Sequence, residues 1–204
     1  MASPLPATIP ATLVAARRYR DLDLIDRRLL AWTVGAGVPA TLLGGLASHL
    51  VGGGALVVTT EVVLLALGIQ LVIGRGDPRE QARDKVARWR FVGVAIGAGF
   101  AAGLLANAGG FLLAPLFVVV LHRPLKVAFG TSLAAAAMLA IPGTLVHALL
   151  GHIDWALAGL FAAASIPLAS LGARTALRTS TERLERRYGA FLVATALALL
   201  FLDR

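Results

Sequence analysis

Seven stretches of this 204-residue chain are apolar and almost free of charge: Leu5–Ala16, Leu29–Leu50, Gly54–Ile73, Phe91–Leu121, Val127–Leu150, Trp155–Ala173 and Tyr188–Leu202. Soluble domains almost never carry such runs, whereas about 20 apolar residues suffice for a helix to cross the hydrocarbon of a bilayer. Within hydrocarbon the backbone must bond to itself, so the runs are read as helices. With 58% hydrophobic and 15% charged residues, the chain is expected to be an all-α, polytopic membrane helical bundle. No polar Ser/Pro/Gly-rich linker divides it, so residues 1–204 form one domain, and the lipid bilayer is its first partner.

The net charge of +8 does not make this a nucleic-acid binder. Its basic residues sit in short clusters between apolar runs, with three Trp and two Tyr for stacking. That distribution is the positive-inside pattern of a cytoplasmic-membrane protein. Zero Cys rules out disulfides and thiolate chemistry. Residues 1–16 lack the basic start of a signal peptide and are followed by arginines, as in a stop-transfer segment.

The same charges decide how Phe91–Leu121 is threaded. A single crossing would leave the five arginines of Arg174–Arg187 on the wrong side of the membrane. If the segment folds back at Asn107–Gly110, 18 of the 19 Lys and Arg fall on one side. Its 31 residues would span about 46 Å as one helix, too long for a core about 30 Å thick. A glycine-broken helical hairpin over 91–121 follows. Residues 75–90 form a basic cytoplasmic loop before it. There Asp77-Pro78-Arg79-Glu80 reads as a helix start, with Asp as N-cap and Pro at the first position. Thr179-x-x-Glu182 similarly reads as a capping box opening an amphipathic turn.

An internal repeat is visible at a shift of 128 residues. It places Leu24-Ile25-Asp26 on His152-Ile153-Asp154, Val38-Pro39 on Ile166-Pro167 and Leu43-Gly44 on Leu171-Gly172. Asp26 and Asp154 fall on opposite sides by the charge count, so the repeats are expected to be inverted, a common transporter plan. Residues 1–74 form a partial first repeat and 91–204 the second. The hairpin has no counterpart in the first repeat, so about 40 residues of that repeat are expected to be missing.

The ordered set Gly103-Leu-Leu-Ala-Asn-Ala-Gly-Gly-Phe-Leu-Leu-Ala-Pro115, Lys126-Val-Ala-Phe-Gly-Thr-Ser-Leu133, His147-Ala-Leu-Leu-Gly-His-Ile-Asp-Trp155 and Gly172-Ala-Arg174 resembles the sulfite exporter TauE/SafE family. The likeness is good over 91–202 and weak over 7–74. Where the family usually carries three consecutive glycines, this chain has Ala108-Gly109-Gly110. The resemblance implies a multi-pass transporter of small anions, typically sulfite, sulfonates or related oxyanions.

Candidate substrate-binding residues follow from what an anion needs in hydrocarbon. Unwound backbone at half-helix ends presents N–H groups, which makes Asn107, Gly109 and Gly110 candidates. Thr131 and Ser132, at the start of the next span, offer hydroxyls; helix capping is the plainer reading. His147 is a candidate for gating or proton coupling, as are Glu61, a carboxylate within an apolar run, and Pro142, beside Gly143 at a kink or hinge. No further ligands surround the histidines, so no metal is expected, and no cofactor. H-E-x-x-H, G-x-S-x-G and P-loop motifs are absent, so an enzyme is not expected. Two readings stay open: a small-anion permease working by alternating access, and a non-transporting or partner-dependent membrane subunit or remnant of one. A homo-oligomer is compatible with either.

Overall fold

The computed structural model describes residues 4–47, 65–71, 73, 88–104 and 110–202. Seven helices follow one another: α1 (Pro4–Arg20), α2 (Arg27–Ala47), α3 (Arg88–Leu104), α4 (Gly110–Val119), α5 (Leu125–Leu149), α6 (Trp155–Arg178) and α7 (Thr181–Leu202). Residues 65–71 are also helical. Among the described residues, α2, α5 and α6 are long and apolar enough to cross a membrane. The chain is the helical membrane bundle its composition predicts.

The segment 91–121 breaks and returns. Helix α3 ends at Leu104 and α4 starts at Gly110, while Asn107 and Gly109 lie outside the described residues. Just past the end of α4, the Arg123 guanidinium sits 5.7 Å over the ring of Phe91, near the start of α3. A continuous helix would hold those two ends more than about 40 Å apart. The two arms therefore bring the chain back to where it entered.

The connections α1–α2 and α5–α6 share three backbone-amide bonds and a left-handed residue at the 128-residue shift. Gly151 has φ +69° and Asp23 φ +52°, the left-handed position that closes a helix C-terminus. The amide of His152 donates to His147 O at 2.9 Å, as Leu24 N does to Tyr19 O at 2.9 Å. The amide of Gly151 donates to Ala148 O at 3.1 Å, as Asp23 N does to Arg20 O at 3.0 Å. Then an Asp opens the next helix. Asp26 Oδ1 accepts from Leu29 N at 2.9 Å, and Asp154 Oδ1 accepts from Leu157 N at 3.1 Å. Pro39 and Pro167 lie at the same register inside α2 and α6.

Helix α5 is the axis of the bundle, packing against α1, α2 and α4. Its buried face of small residues, among them Ala128, Gly130, Ala135 and Ala136, admits close neighbours. The main core joins Leu29, Leu113, Phe117, Leu121, Leu125 and Leu139. Helix α3 lies on α2 at glycine contact: a Cβ on Gly99 would stand 2.5 Å from Gly37 O. Helix α6 packs chiefly on α1. On α2, Leu29, Thr33 and Ala40 are 5% exposed or less, whereas their repeat mates Leu157, Phe161 and Leu168 are 41–66% exposed.

One local expectation changes. Thr179 does not open a capping box; it is the C-cap of α6, its hydroxyl donating to Thr175 O at 2.8 Å. Helix α7 starts two residues later, with Ser180 O accepting from Leu184 N at 2.9 Å. Local sequence reads a capping Thr alike at either helix end, and the preceding helix claimed it. The helix start proposed at Asp77–Glu80 lies outside the described residues.

Because backbone meets backbone at the α2–α3 crossing, Gly99→Val is expected to destabilise the protein by about 1–3 kcal/mol. The unfolding midpoint in detergent should drop accordingly; an unchanged midpoint contradicts the crossing.

Candidate functional site

Thr131 and Ser132 are neighbours in sequence but face different surroundings, because successive residues on a helix point about 100° apart. Thr131 is fully buried, and its Oγ1 accepts the Asp26 amide N–H at 3.0 Å. Gly130 beside it admits the α1–α2 loop: a Cβ there would collide with the Leu24 carbonyl and stand 2.8 Å from Tyr19 Cβ. Asp26 also pairs through Oδ2 with Arg123 Nη2 at 3.1 Å. This node ties the α1–α2 loop to the start of α5 and to the end of the returning hairpin.

Ser132 faces the other way, into a cavity of about 630 Å³ between α1, α4, α5, α6 and α7. The cavity's polar lining is Thr8, Thr12, Tyr19, Ser132 and Tyr188, set among alanines and leucine. Ala114 of α4 lines it as well, one helical turn (about 6 Å) from Gly110, where α4 begins. Of the described candidates for substrate contact, Ser132 lines this cavity, Gly110 lies a turn before its lining residue Ala114, and Thr131 is turned to the loop.

Three of the hydroxyls around this cavity donate to backbone carbonyls. Thr8 donates to Leu5 O at 2.7 Å, Thr12 to Thr8 O at 2.6 Å and Ser132 to Phe129 O at 3.1 Å. Such back-bonding is how hydroxyls are satisfied in apolar helices. Each of these hydroxyls can donate to an anion in the cavity by turning its proton away from that carbonyl.

The α1 wall was not among the sequence candidates. Its signal is the spacing of Thr8, Thr12, Ala15 and Tyr19 along one helical face. A 12-residue apolar reading that stopped at Ala16 hid this face, and the real helix runs on to Arg20.

His147 lies 2% exposed at the far end of α5, about 22 Å along the helix from Ser132. Its Nδ1 is 3.2 Å from His152 Nδ1, with ring centroids 5.5 Å apart. The pair occupies the two positions of a helix C-cap that an apolar contact usually fills. A hydrogen bond between two facing Nδ1 atoms requires one ring to donate and the other to accept. Pro142 lies within the continuous α5 beside Gly143, which packs under Leu5. Glu61 lies outside the described residues. Among the described residues no group of three or more His, Asp or Glu is placed to hold a metal.

Comparison with known proteins gives one consistent picture. The profile of the family described as "Sulfite exporter TauE/SafE" matches residues 1–199. The "Probable membrane transporter protein YunE" of Bacillus subtilis (strain 168) is 24% identical over 181 residues, 80% of this chain and 64% of that protein. "Probable membrane transporter protein" of Xylella fastidiosa (strain Temecula1 / ATCC 700964) is 34% identical over 104 residues, 50% of this chain and 40% of that one. The match therefore spans less than two thirds of the length of these relatives. No solved structure gives a significant match.

The Asp26 node yields a graded prediction. Asp26→Ala removes both the cap and the ion pair, and loss of the cap alone costs about 1 kcal/mol. Asp26→Asn keeps a capping oxygen and should lose less. Unfolding midpoints in detergent are expected in the order wild type, Asn, Ala; equal losses for the two variants contradict the capping role.

Proposed function

The chain belongs to the sulfite exporter TauE/SafE family, and from that premise we propose that it is a permease for a small oxyanion of the sulfite or sulfonate class. It works by alternating access in the cytoplasmic membrane. The observation that carries this reading is the cavity in which Ser132 of α5 and Ala114 of α4 meet the polar face of α1. Helix α1 belongs to one repeat and α5, α6 to the other, so the cavity lies between the parts that must move against each other.

The packing supports a two-fold relation between inverted repeats. A two-fold exchanging α1 with α5 and α2 with α6 would interchange the α1–α6 and α2–α5 contacts, and both pairs pack closely. In this mechanism the Asn107–Gly110 break and Ser132 form the anion cradle, with Thr131 holding the α1–α2 loop against α5. Pro142 and Gly143 are the flexible point of α5. His147, Glu61 or both couple movement to protons, His147 through its contact with His152.

A second reading is favoured by the burial contrast between α2 and α6. The stripe that α3 and its neighbours cover on α2 is open at the same register on α6. In that reading a further apolar helix docks on α6, and transport depends on it.

In cells, Asn107→Leu and Gly109→Leu are expected to abolish efflux of the substrate anion at unchanged expression, and Ser132→Ala to reduce it by about tenfold, the order of one lost charge-assisted hydrogen bond. Normal efflux by all three variants would overturn the site assignment.

A further inference from the structure

The cavity poses an electrostatic problem. An oxyanion entering it meets largely apolar walls, and the hydroxyls of Thr8, Thr12 and Ser132 already donate to carbonyls. Desolvating an anion there needs positive charge or free donors. Two cations stand at its edge. Arg18 follows the lining stripe of α1 and reaches across to α6, its Nε and Nη2 donating to Ser170 Oγ at 3.2 and 2.8 Å. Lys126 lies one turn before Phe129 on α5 and also reaches α6, its Nζ donating to Leu177 O at 3.0 Å. Ser170 and Leu177 flank the lining residues Ala169, Ala173 and Ala176 of α6.

The partners of these two cations are neutral. Arg20 and Arg123, by contrast, meet the carboxylates of Asp21 and Asp26. Arg18 and Lys126 instead meet a hydroxyl and a carbonyl, neutral oxygens that leave the full charge uncompensated. A neutral acceptor is also a weaker partner than an oxyanion, because hydrogen bonds between ionised groups are the strong ones. We propose that Arg18 and Lys126 form the anion-selecting rim of the cavity. Each rests on α6 when the cavity is empty and turns to a small oxyanion, such as sulfite, when one enters. This deepens the permease reading: it rests on that cavity being the anion's path, and it assigns charge selection to residues outside the glycine break.

The plainer role for Lys126 is to satisfy the C-terminal carbonyls of α6, and for Arg18 to hold α6 to α1. A structural tether would not sort reagents by sign, and that separates the readings. The chain has no cysteine, so a single Thr12→Cys or Ala169→Cys reports on the cavity. In nanodiscs, the reporter's reaction rate is measured with a methanethiosulfonate carrying a sulfonate and with one carrying a trimethylammonium. The anionic reagent should react faster, and that ratio should fall about threefold or more in Arg18→Gln and again in Lys126→Gln. Lys126→Arg should preserve the ratio, and high salt should flatten it. A ratio unchanged by both neutral variants, or no reaction of either reporter, overturns the proposal. Because the assay needs no transport, its outcome is independent of whether the protein moves an anion.

Discussion

In hydrocarbon every helix end is a liability, because its four unsatisfied N–H or C=O groups find no water. The connections of this chain answer that constraint twice in the same way. A left-handed residue turns the end of one helix back on its own carbonyls, and three residues later an aspartate accepts the first amides of the next. Everything else is hung on these two elbows. Asp26 adds an ion pair to Arg123, and its backbone N–H donates to Thr131 Oγ1, which fixes the first elbow to α5 and to the returning hairpin. The second elbow carries the His147–His152 contact instead. The two ends of α5 are thus secured by different chemistry, one by an ion pair and the other by a contact between two imidazoles.

The small residues of α5 explain why a cavity exists beside such tight contacts. Gly130 brings the α1–α2 loop to van der Waals distance on one face, while alanines on the adjoining face leave room between α1 and α6. Helix α6 then closes the space with little buried surface of its own: Ala158 and Ala173 are its fully buried residues. It packs on α1 through Ala169, Ala173 and Leu177, and polar contacts from Arg18 and Lys126 add to that seam. A wall attached that way can shift without dismantling the core, which is centred on α4, α5 and Leu29 of α2.

Much of this was legible in the sequence because hydrocarbon is an unforgiving solvent. Charge placement alone required Phe91–Leu121 to fold back, and the Arg123–Phe91 contact shows that it does. The short matches around Asp26 and Asp154 marked the elbows, since only a few residue types can cap a helix. What stayed hidden depended on neighbours. The Thr8–Tyr19 face looks like the edge of a short apolar run until α6 is seen beside it. Arg18 and Lys126 look like ordinary inward-facing charges until their neutral partners are known. Thr131 and Ser132 read as one pair, and only the packing of α5 shows that one faces a loop and the other a cavity.

The proposed mechanism requires that the cavity between α1, α5 and α6 conduct an anion. The direct measurement is counterflow with the purified chain in proteoliposomes, loaded with unlabelled sulfite and diluted into labelled sulfite. Alternating access predicts transient, saturable accumulation of label above that in protein-free liposomes, with sulfate and simple sulfonates competing according to fit. Absence of exchange for every one of these anions, with the protein folded and inserted, would contradict it.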